Sequence, residues 1–538
     1  MTQQTLRDNA AIRWTALLLL ALAMFCAYIF MDILSPIKDL MQDTRGWDSA
    51  SFGRMQGAEV FLNVYVFFLI FAGIILDKMG VRFTAVLSGA VMLVGGLIKF
   101  YAVSEAFIGT SIEAWFTNHL NWNGELPIIG AILPFCAGMP ASAKVAAIGF
   151  MIFGCGAEMA GITVSRGIVK WFNGRETALA MGSEMALARL GVATCMIFSP
   201  YFARLGGEIH VGNAVRFGVV LLCIALIMFI TYFFMDRRLD AQTGEAEEKE
   251  DAFKISDLGK IFSSLGFWLV ALLCVLYYSA IFPFQKYAVN MLQCNLALTP
   301  ADTNTFWGGS SVTIVQYVIM LTVAATSFAS NFVKNKPIVR WSLMGTAVVA
   351  LIAYCYMGYM RGTAETIFAV FPLLAVAITP ILGNYVDHKG KAATMLMLGS
   401  ILLVICHLTF AFILPAFKGN IVGGTIVAYV TILVLGASFS LVPAALWPSV
   451  PKLVDEKIIG SAYAAIFWIQ NIGLGLFPAL IGIVLNKTNE PGRAAHELDY
   501  TWALVMLAAL GIAALLISIY LKAVDRRKGI GLEEPNIK

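Results

Sequence analysis

Gly73-Ile-Ile-Leu-Asp77-Lys78-Met-Gly80-Val-Arg82 lies between two long apolar runs, and Gly383-Asn-Tyr-Val-Asp387-His388-Lys389-Gly390-Lys391 lies between two others. Each pairs a Gly and an Asp with basic residues in a short polar loop, and the same loop in matched positions points to a chain built from two related halves. The apolar runs around the loops say where the chain resides. Of 538 residues 59% are hydrophobic and 13% charged, and the mean hydropathy is +0.80, more apolar surface than a water-soluble core needs. Runs of roughly 20 apolar residues recur from end to end, the length that crosses a hydrocarbon layer ~30 Å thick. The runs are continuous rather than alternating, so helices and not barrel strands must satisfy the backbone. An all-α polytopic membrane protein is expected. A secretory signal before a soluble enzyme is excluded, because later runs are as apolar as the first.

Fourteen spans are predicted, at about 14–40, 52–76, 82–104, 144–169, 178–202, 214–235, 264–290, 308–332, 341–359, 364–386, 392–415, 422–446, 459–485 and 500–522. The basic residues fall on alternate connections: Arg7 and Arg13, Lys78 and Arg82, Lys170 and Arg175, Arg237 and Arg238, Lys334, Lys336 and Arg340, Lys389 and Lys391, Lys452 and Lys457, then Lys522 to Lys528. Excess Lys and Arg marks cytoplasmic loops, which puts both termini in the cytoplasm. Three stretches interrupt the count. Residues 236–262 hold Glu245, Glu247, Glu248, Glu250 and Asp251 and read as a soluble cytoplasmic linker. Residues 105–143, with Trp115, Trp122 and three prolines, read as an outer-face insertion containing a short interfacial or re-entrant helix. Residues 308–359 form an extra hairpin with a basic turn, expected to pack outside the moving core, against the eighth core helix or lipid. With the hairpin set aside, an N-terminal half (1–235) and a C-terminal half (263–538) contribute six core spans each, and one signature follows the second span of each. That is the symmetry of a parallel-repeat transporter.

The duplicated G-x-x-x-D-[KR]-x-G-x-[KR] pattern resembles the inter-helix loop motif of the major facilitator superfamily. The resemblance implies that Gly73 and Gly383 allow close helix packing, that Asp77 and Asp387 cap helices and pair with cations across the half interface, and that Lys78, Gly80, Arg82, Lys389 and Gly390 share this gating loop. His388 replaces the first basic residue of the second copy. Further stretches resemble the branch typified by the lysosomal dipeptide carrier: Phe153-Gly-Cys-Gly-Ala-Glu158, Trp171-Phe-Asn-Gly-Arg-Glu176, Ala186-Leu-Ala-Arg189-Leu-Gly191, Tyr277-Tyr278-Ser-Ala-Ile-Phe282-Pro283-Phe284, Ala445-Leu-Trp447-Pro448, Gly460-Ser-Ala-Tyr463 and Ile469-Gln470-Asn471-Ile-Gly473. The resemblance covers the twelve core spans. It implies that Glu158 receives the amino group of a short peptide and Arg189 its carboxylate.

Without the family, the residues still argue for a site. Glu158 and Arg189 each fall near the middle of a span, where an isolated charge costs ~2.5–3.5 kcal/mol on insertion scales. They must face each other, another partner or a wet cavity. An acid and a base on adjacent helices suit the two ends of a zwitterion, and the Arg fork suits a carboxylate; a structural ion pair tying the two helices together is the competing reading. Asp32, in Met31-Asp-Ile-Leu-Ser35-Pro36, and Glu59 are also embedded, and Glu184 lies before Arg189 or beside Arg166. With Glu158 these are the candidates for proton coupling, while a gate, a substrate contact or a helix-end cap suits Asp32 equally well. Tyr277, Tyr278, Phe282, Trp447, Tyr463, Gln470 and Asn471 are read as side-chain pocket, with core packing as the alternative for each aromatic. Pro283, Pro448 and Pro478 mark bends. The nine Cys form no CxxC pair and read as packing residues.

The expectation is a transporter and not an enzyme, with no cofactor, metal or nucleic-acid partner. It would carry short peptides, dipeptides above all, across the cytoplasmic (inner) membrane by alternating access, as a monomer among lipids, by uniport or proton symport. An organic-anion or amino-acid carrier is the alternative within transport, and a non-transporting receptor or scaffold the alternative outside it.

Overall fold

The computed structural model describes residues 5–124, 130, 133–172, 176–243, 259, 261–296, 298, 301, 305–330, 333, 336–453 and 459–535. The acidic linker residues Glu245 to Asp251, the basic residues Arg175, Lys334 and Lys457, part of the Leu126–Ala143 run and the side chain of Asp387 lie outside the described residues.

Every long element is a helix. In chain order these are α1 (Ala10–Met31), α2 (Lys38–Arg45), α3 (Ser49–Gly57), α4 (Phe61–Tyr65), α5 (Phe68–Val103), α6 (Ser111–Asn118), α7 (Ala141–Phe172), α8 (Thr177–Ala203) and α9 (Val211–Thr243). They continue as α10 (Leu265–Leu296), α11 (Ser310–Ser330), α12 (Pro337–Arg361), α13 (Ala364–Phe368), α14 (Val370–Lys389), α15 (Ala392–Leu408), α16 (Ile421–Leu453), α17 (Ile459–Thr488) and α18 (Thr501–Lys528). Among the described residues, 13 helices are long and apolar enough to cross a membrane. One of them hides a second pass. The 36 residues of α5 would run roughly 54 Å if straight, nearly twice the hydrocarbon thickness, but Gly80, at φ 80° and ψ 167°, breaks the helix. Phe68–Met79 therefore completes the pass begun by α3 and α4, and Val81–Val103 is the next. The expected second span is thus present but interrupted, by a turn at residues 58–60 and by Phe67 in the left-handed region.

The two signature loops share this device. Gly80 and Gly390, each three residues after its Asp, both have positive φ, 80° and 71°, a conformation costly for any residue with a Cβ. Gly390 ends α14, where a Cβ would also strike the Glu533 carbonyl. Gly73 and Gly383 behave differently from expectation: a Cβ at either meets nothing within 4 Å, so neither is packed closely against a neighbour.

Helices α1, α3, α5, α7, α8 and α9 pack on one another, and so do α10 with α17 and α18, α14 with α16, and α15 with α16 and α18, giving two bundles. They meet along α3 and α17, along α8 and α14, and where Ser35–Ile37 packs on α10. Glycines set the first seam: a Cβ on Gly53 would lie 2.2 Å from the Pro478 oxygen, and one on Gly57 2.1 Å from that of Gly475. Polar bonds follow the same line. Asn486 donates to Asp48 (2.6 Å), Gln293 to Asp39 (3.2 Å), Gln42 to the Arg493 carbonyl (3.2 Å), and Tyr287 to the carbonyls of Ser49 (3.0 Å) and Pro478 (2.9 Å). Arg204 and Glu365 form a 3.6 Å ion pair at the second seam.

The end that carries the signatures is different. There Arg166 holds Asp77 at 2.6 Å, Lys170 holds Asp236 and Asp240 at 2.7 Å, and Arg82 holds Asp240 at 2.8 Å, all within the first bundle. Glu533 caps α15 by accepting from the Thr394 amide at 2.8 Å, and Lys452 donates to the Gly531 carbonyl at 2.9 Å, both within the second. Asp77 thus pairs inside its own bundle rather than across the interface as expected, and Lys78 and Lys389 are exposed. Among the described residues the bundles are joined at the end bearing residues 35–57 and apart at the signature end.

Of the insertion at 105–143, the described part contains α6, which buries none of its residues. It is tied back by Lys144, whose ammonium donates to the Phe116 and His119 carbonyls and to Asn121 (2.6–3.1 Å). The extra hairpin, α11 and α12, packs on itself and on α14, and α11 also reaches α8 of the first bundle.

Candidate functional site

Glu158 is brought to the centre by two glycines of its own motif. Gly154 lets the Glu59 backbone approach so closely that a Cβ would overlap its carbonyl oxygen, and Gly156 lets α5 in at Met92. Small residues at such contacts are how membrane helices come together. The carboxylate of Glu158 is half-buried and accepts a 3.0 Å hydrogen bond from the Asn471 amide on α17. On α8, Gly191 packs against the Phe25 carbonyl, where a Cβ would sit 2.6 Å away, and so holds Arg189 beside α1. The guanidinium carbon lies 5.0 Å from the ring centroids of both Phe282 and Phe439 and 5.8 Å from that of Tyr28. No ion pair joins Glu158 and Arg189. The two-helix staple that competed with a binding role is therefore not formed, and each charge is held separately by a group from the second bundle.

The expected pocket residues divide. Tyr278 lies 5.4 Å from Phe282 and accepts from the Trp447 indole at 3.2 Å; Phe282 lies 5.6 Å from Phe439. Trp447 in turn stacks on Phe467 (4.8 Å), and Tyr463 donates to the Trp447 carbonyl (2.9 Å). These aromatics form one wall that includes the Arg189 sandwich. Tyr277 does not join it. Its side chain is 1% exposed and its hydroxyl donates to the Ser438 carbonyl at 2.7 Å, so it ties α10 to α16 instead. Adjacent residues on a helix point about 100° apart, which sends Tyr277 and Tyr278 to different neighbours. Gln470 is also buried, accepting from the Cys274 thiol at 3.2 Å.

The embedded acids form a second cluster. Asp32, which ends α1, is 2.7 Å from the Lys286 ammonium and accepts from Gln285 at 2.7 Å. Glu59 lies 4.0 Å from the same ammonium. Glu184 is half-buried with Arg189 as its charged neighbour, and Arg166 is bonded to Asp77. Sequence reasoning missed Tyr28, Phe439 and Lys99. Tyr28 stands one helical turn before Asp32 and Phe439 eight residues before Trp447, spacings that share a helix face and could have flagged both.

The structure aligns with the nucleoside transporter NupG at a TM-score of 0.58 and 12% identity, over 94% of this chain and 99% of that one. It aligns with a structure of a proton-dependent oligopeptide transporter at a TM-score of 0.56 and 13% identity (97% and 99%), and with a D-xylose-proton symporter at 0.57 and 12% (94% and 97%). The chain has the major facilitator superfamily fold. No protein-family profile matches it. Among curated proteins it is similar to the lysosomal dipeptide transporter MFSD1 of Bos taurus, 24% identical over 347 residues, or 63% of this chain. It is 23% identical over 389 residues, or 71% of this chain, to the protein of the same name from Homo sapiens. The chain spans 58% and 66% of the lengths of those two proteins.

Proposed function

We propose that this chain is a secondary-active transporter of short peptides, dipeptides above all, with a six-helix half on each side of the cavity, residues 1–235 and 263–538. Glu158 holds the protonated amino terminus, Arg189 holds the carboxylate, and the Tyr278, Phe282, Phe439 and Trp447 wall accepts side chains. One observation carries the reading: two opposite charges, half-buried near the middle of long apolar helices and unpaired with each other, are each contacted by the opposite half. A peptide entering from the signature end would replace Asn471 on Glu158 and place its carboxylate against the Arg189 fork. A guanidinium between aromatic rings keeps its plane and its donors available, since cation–π attraction uses its face. Closure of the signature end around the peptide, with release of the Gly53 and Gly57 seam, would complete alternating access. Both termini and the signature loops then belong to the cytoplasmic side of an inner membrane. The MFSD1 relatives and the oligopeptide transporter fold support the peptide class.

The test is counterflow into liposomes holding the purified chain. Radiolabelled dialanine should exchange, unlabelled dipeptides should compete, and N-acetylated dipeptides and single amino acids should compete poorly. Equal competition by acetylated peptides or simple organic anions would favour a general anion carrier.

A further inference from the structure

The chain after α18 turns back onto the second signature loop. Gly529 and Gly531, at φ 63° and 85°, reverse its direction, and Leu532 is fully buried, its amide donating to the Asp525 carboxylate at 2.9 Å. The residues that follow grip the loop. The Glu533 and Leu532 carbonyls accept from the amides of Lys391 and Ala392, both at 3.1 Å. The Glu533 carboxylate accepts from the Thr394 amide at 2.8 Å and from its hydroxyl at 2.7 Å, with the Lys522 ammonium 3.6 Å away. Lys452 on α16 donates to the Gly531 and Glu534 carbonyls at 2.9 and 3.2 Å. The segment Gly529–Glu534 thus ties the loop to the ends of α15, α16 and α18.

The loop depends on that grip. Lys391 is the N-cap of α15, in the left-handed region at φ 66° and with no side-chain cap of its own. A lysine there offers the first amides no acceptor and brings the wrong sign to the N-terminal end of the helix dipole. Glu533 supplies both the acceptor and the negative charge. A residue with a Cβ stays in the left-handed region only where its surroundings hold it there. Val81, the matching residue of the first loop, is helical, and that loop is held by side chains of its own bundle, Asp77 by Arg166 and Arg82 by Asp240. Each loop is therefore drawn back into its own bundle in a structure whose signature end stands apart among the described residues. We infer that Gly529–Glu534 is a strap that holds the second loop drawn back while the signature end is open and lets it go when that end closes. The strap stabilises the open form and the Lys391 backbone opposes it, so the balance between the two states is set from outside the peptide site. The inference needs two states of the signature end and no particular cargo.

The test needs no substrate. Spin labels on Arg237→Cys and Arg527→Cys, exposed at the signature end on opposite bundles, read the separation in a Cys223→Ser background. Glu533→Ala, and a chain stopped after Gly529, should raise the ratio of closed to open molecules about 2- to 30-fold, the usual worth of a helix cap. Both should also speed hydrogen exchange at the Lys391, Ala392 and Thr394 amides. Lys391→Gly removes the backbone cost of the gripped form, so it should move the ratio the other way, by about 2- to 5-fold. A contact that served stability alone would lower the Tm of the strap variants without opposed shifts. Label distances unchanged in every variant, or shifts of one sign for Glu533→Ala and Lys391→Gly, would overturn the inference. So would exchange at those three amides that stays slow once the strap is removed. The result stands or falls whatever dialanine counterflow shows, and a failure of counterflow bears on the peptide reading alone.

Discussion

In the proposed function, substrate recognition turns on Arg189. Among the described residues its charge has no carboxylate partner in an ion pair, and two second-half rings flank it at 5.0 Å. Arg189→Lys keeps the charge but loses the planar fork and much of the stacking; dipeptide affinity should fall about 10- to 100-fold, or ~1.4–2.8 kcal/mol, read by competition binding. Glu158→Gln can still accept from Asn471, so folding should hold. The variant should lose its preference for a free amino group, measured as dipeptides and N-acetylated dipeptides competing with similar potency. Both positions were legible from chemistry, since a mid-span charge needs a reason to be there. The partners were not: that Glu158 meets Asn471, or Arg189 meets Phe439, joins residues hundreds of positions apart.

At the scale of elements, the α3 to α17 seam depends on absent side chains. A methyl at Gly57 would sit 2.1 Å from the Gly475 carbonyl, a backbone atom with little room to yield. Gly57→Ala should therefore destabilise the joined end by ~1–3 kcal/mol, as overpacking typically does, and shift the distance between spin labels on the exposed positions Asp43→Cys and Glu490→Cys toward the open population. If the distance distribution is unchanged, the seam is not what holds that end shut. The broken second span shows what the residue pattern conceals. Hydropathy located the apolar length, but the turn at residues 58–60 and the αL conformation of Phe67 come from packing on α7 and α17, where Trp468 stacks on Phe67 at 5.6 Å. The hairpin gives the same lesson. Its two spans were readable, and its contact with α14 answers the expected brace on the eighth core helix. Its reach to α8, where Tyr317 lies 4.8 Å from Phe198, was not expected.

For the whole molecule, the described residues join the bundles at one end and leave them apart at the other, which in the proposed function is one state of an alternating-access cycle. A crosslink that forbids the other state should stop transport. Asp48→Cys with Asn486→Cys, bridged by a short thiol reagent in the Cys223→Ser background, should abolish dialanine counterflow, and a cleavable bridge should restore it on reduction. Residual counterflow above a few per cent of the uncrosslinked rate would mean that this end does not open during transport. The hairpin touches α8 in one bundle and α14 in the other, so it lies across the seam between them.

The sequence by itself determined the apolar spans and their order, the duplicated glycine turns and the two mid-span charges. Each follows from local composition: apolar length, a positive φ that glycine tolerates, and the cost of burying an isolated ion. Only the tertiary structure decided which charge meets which, that Tyr277 faces α16 while Tyr278 meets Phe282 and Trp447, that Lys286 closes on Asp32 and Glu59, and that among the described residues the signature end stands apart. Those are facts of helix rotation and bundle approach, set by close packing between segments far apart in the chain, and no local pattern encodes them.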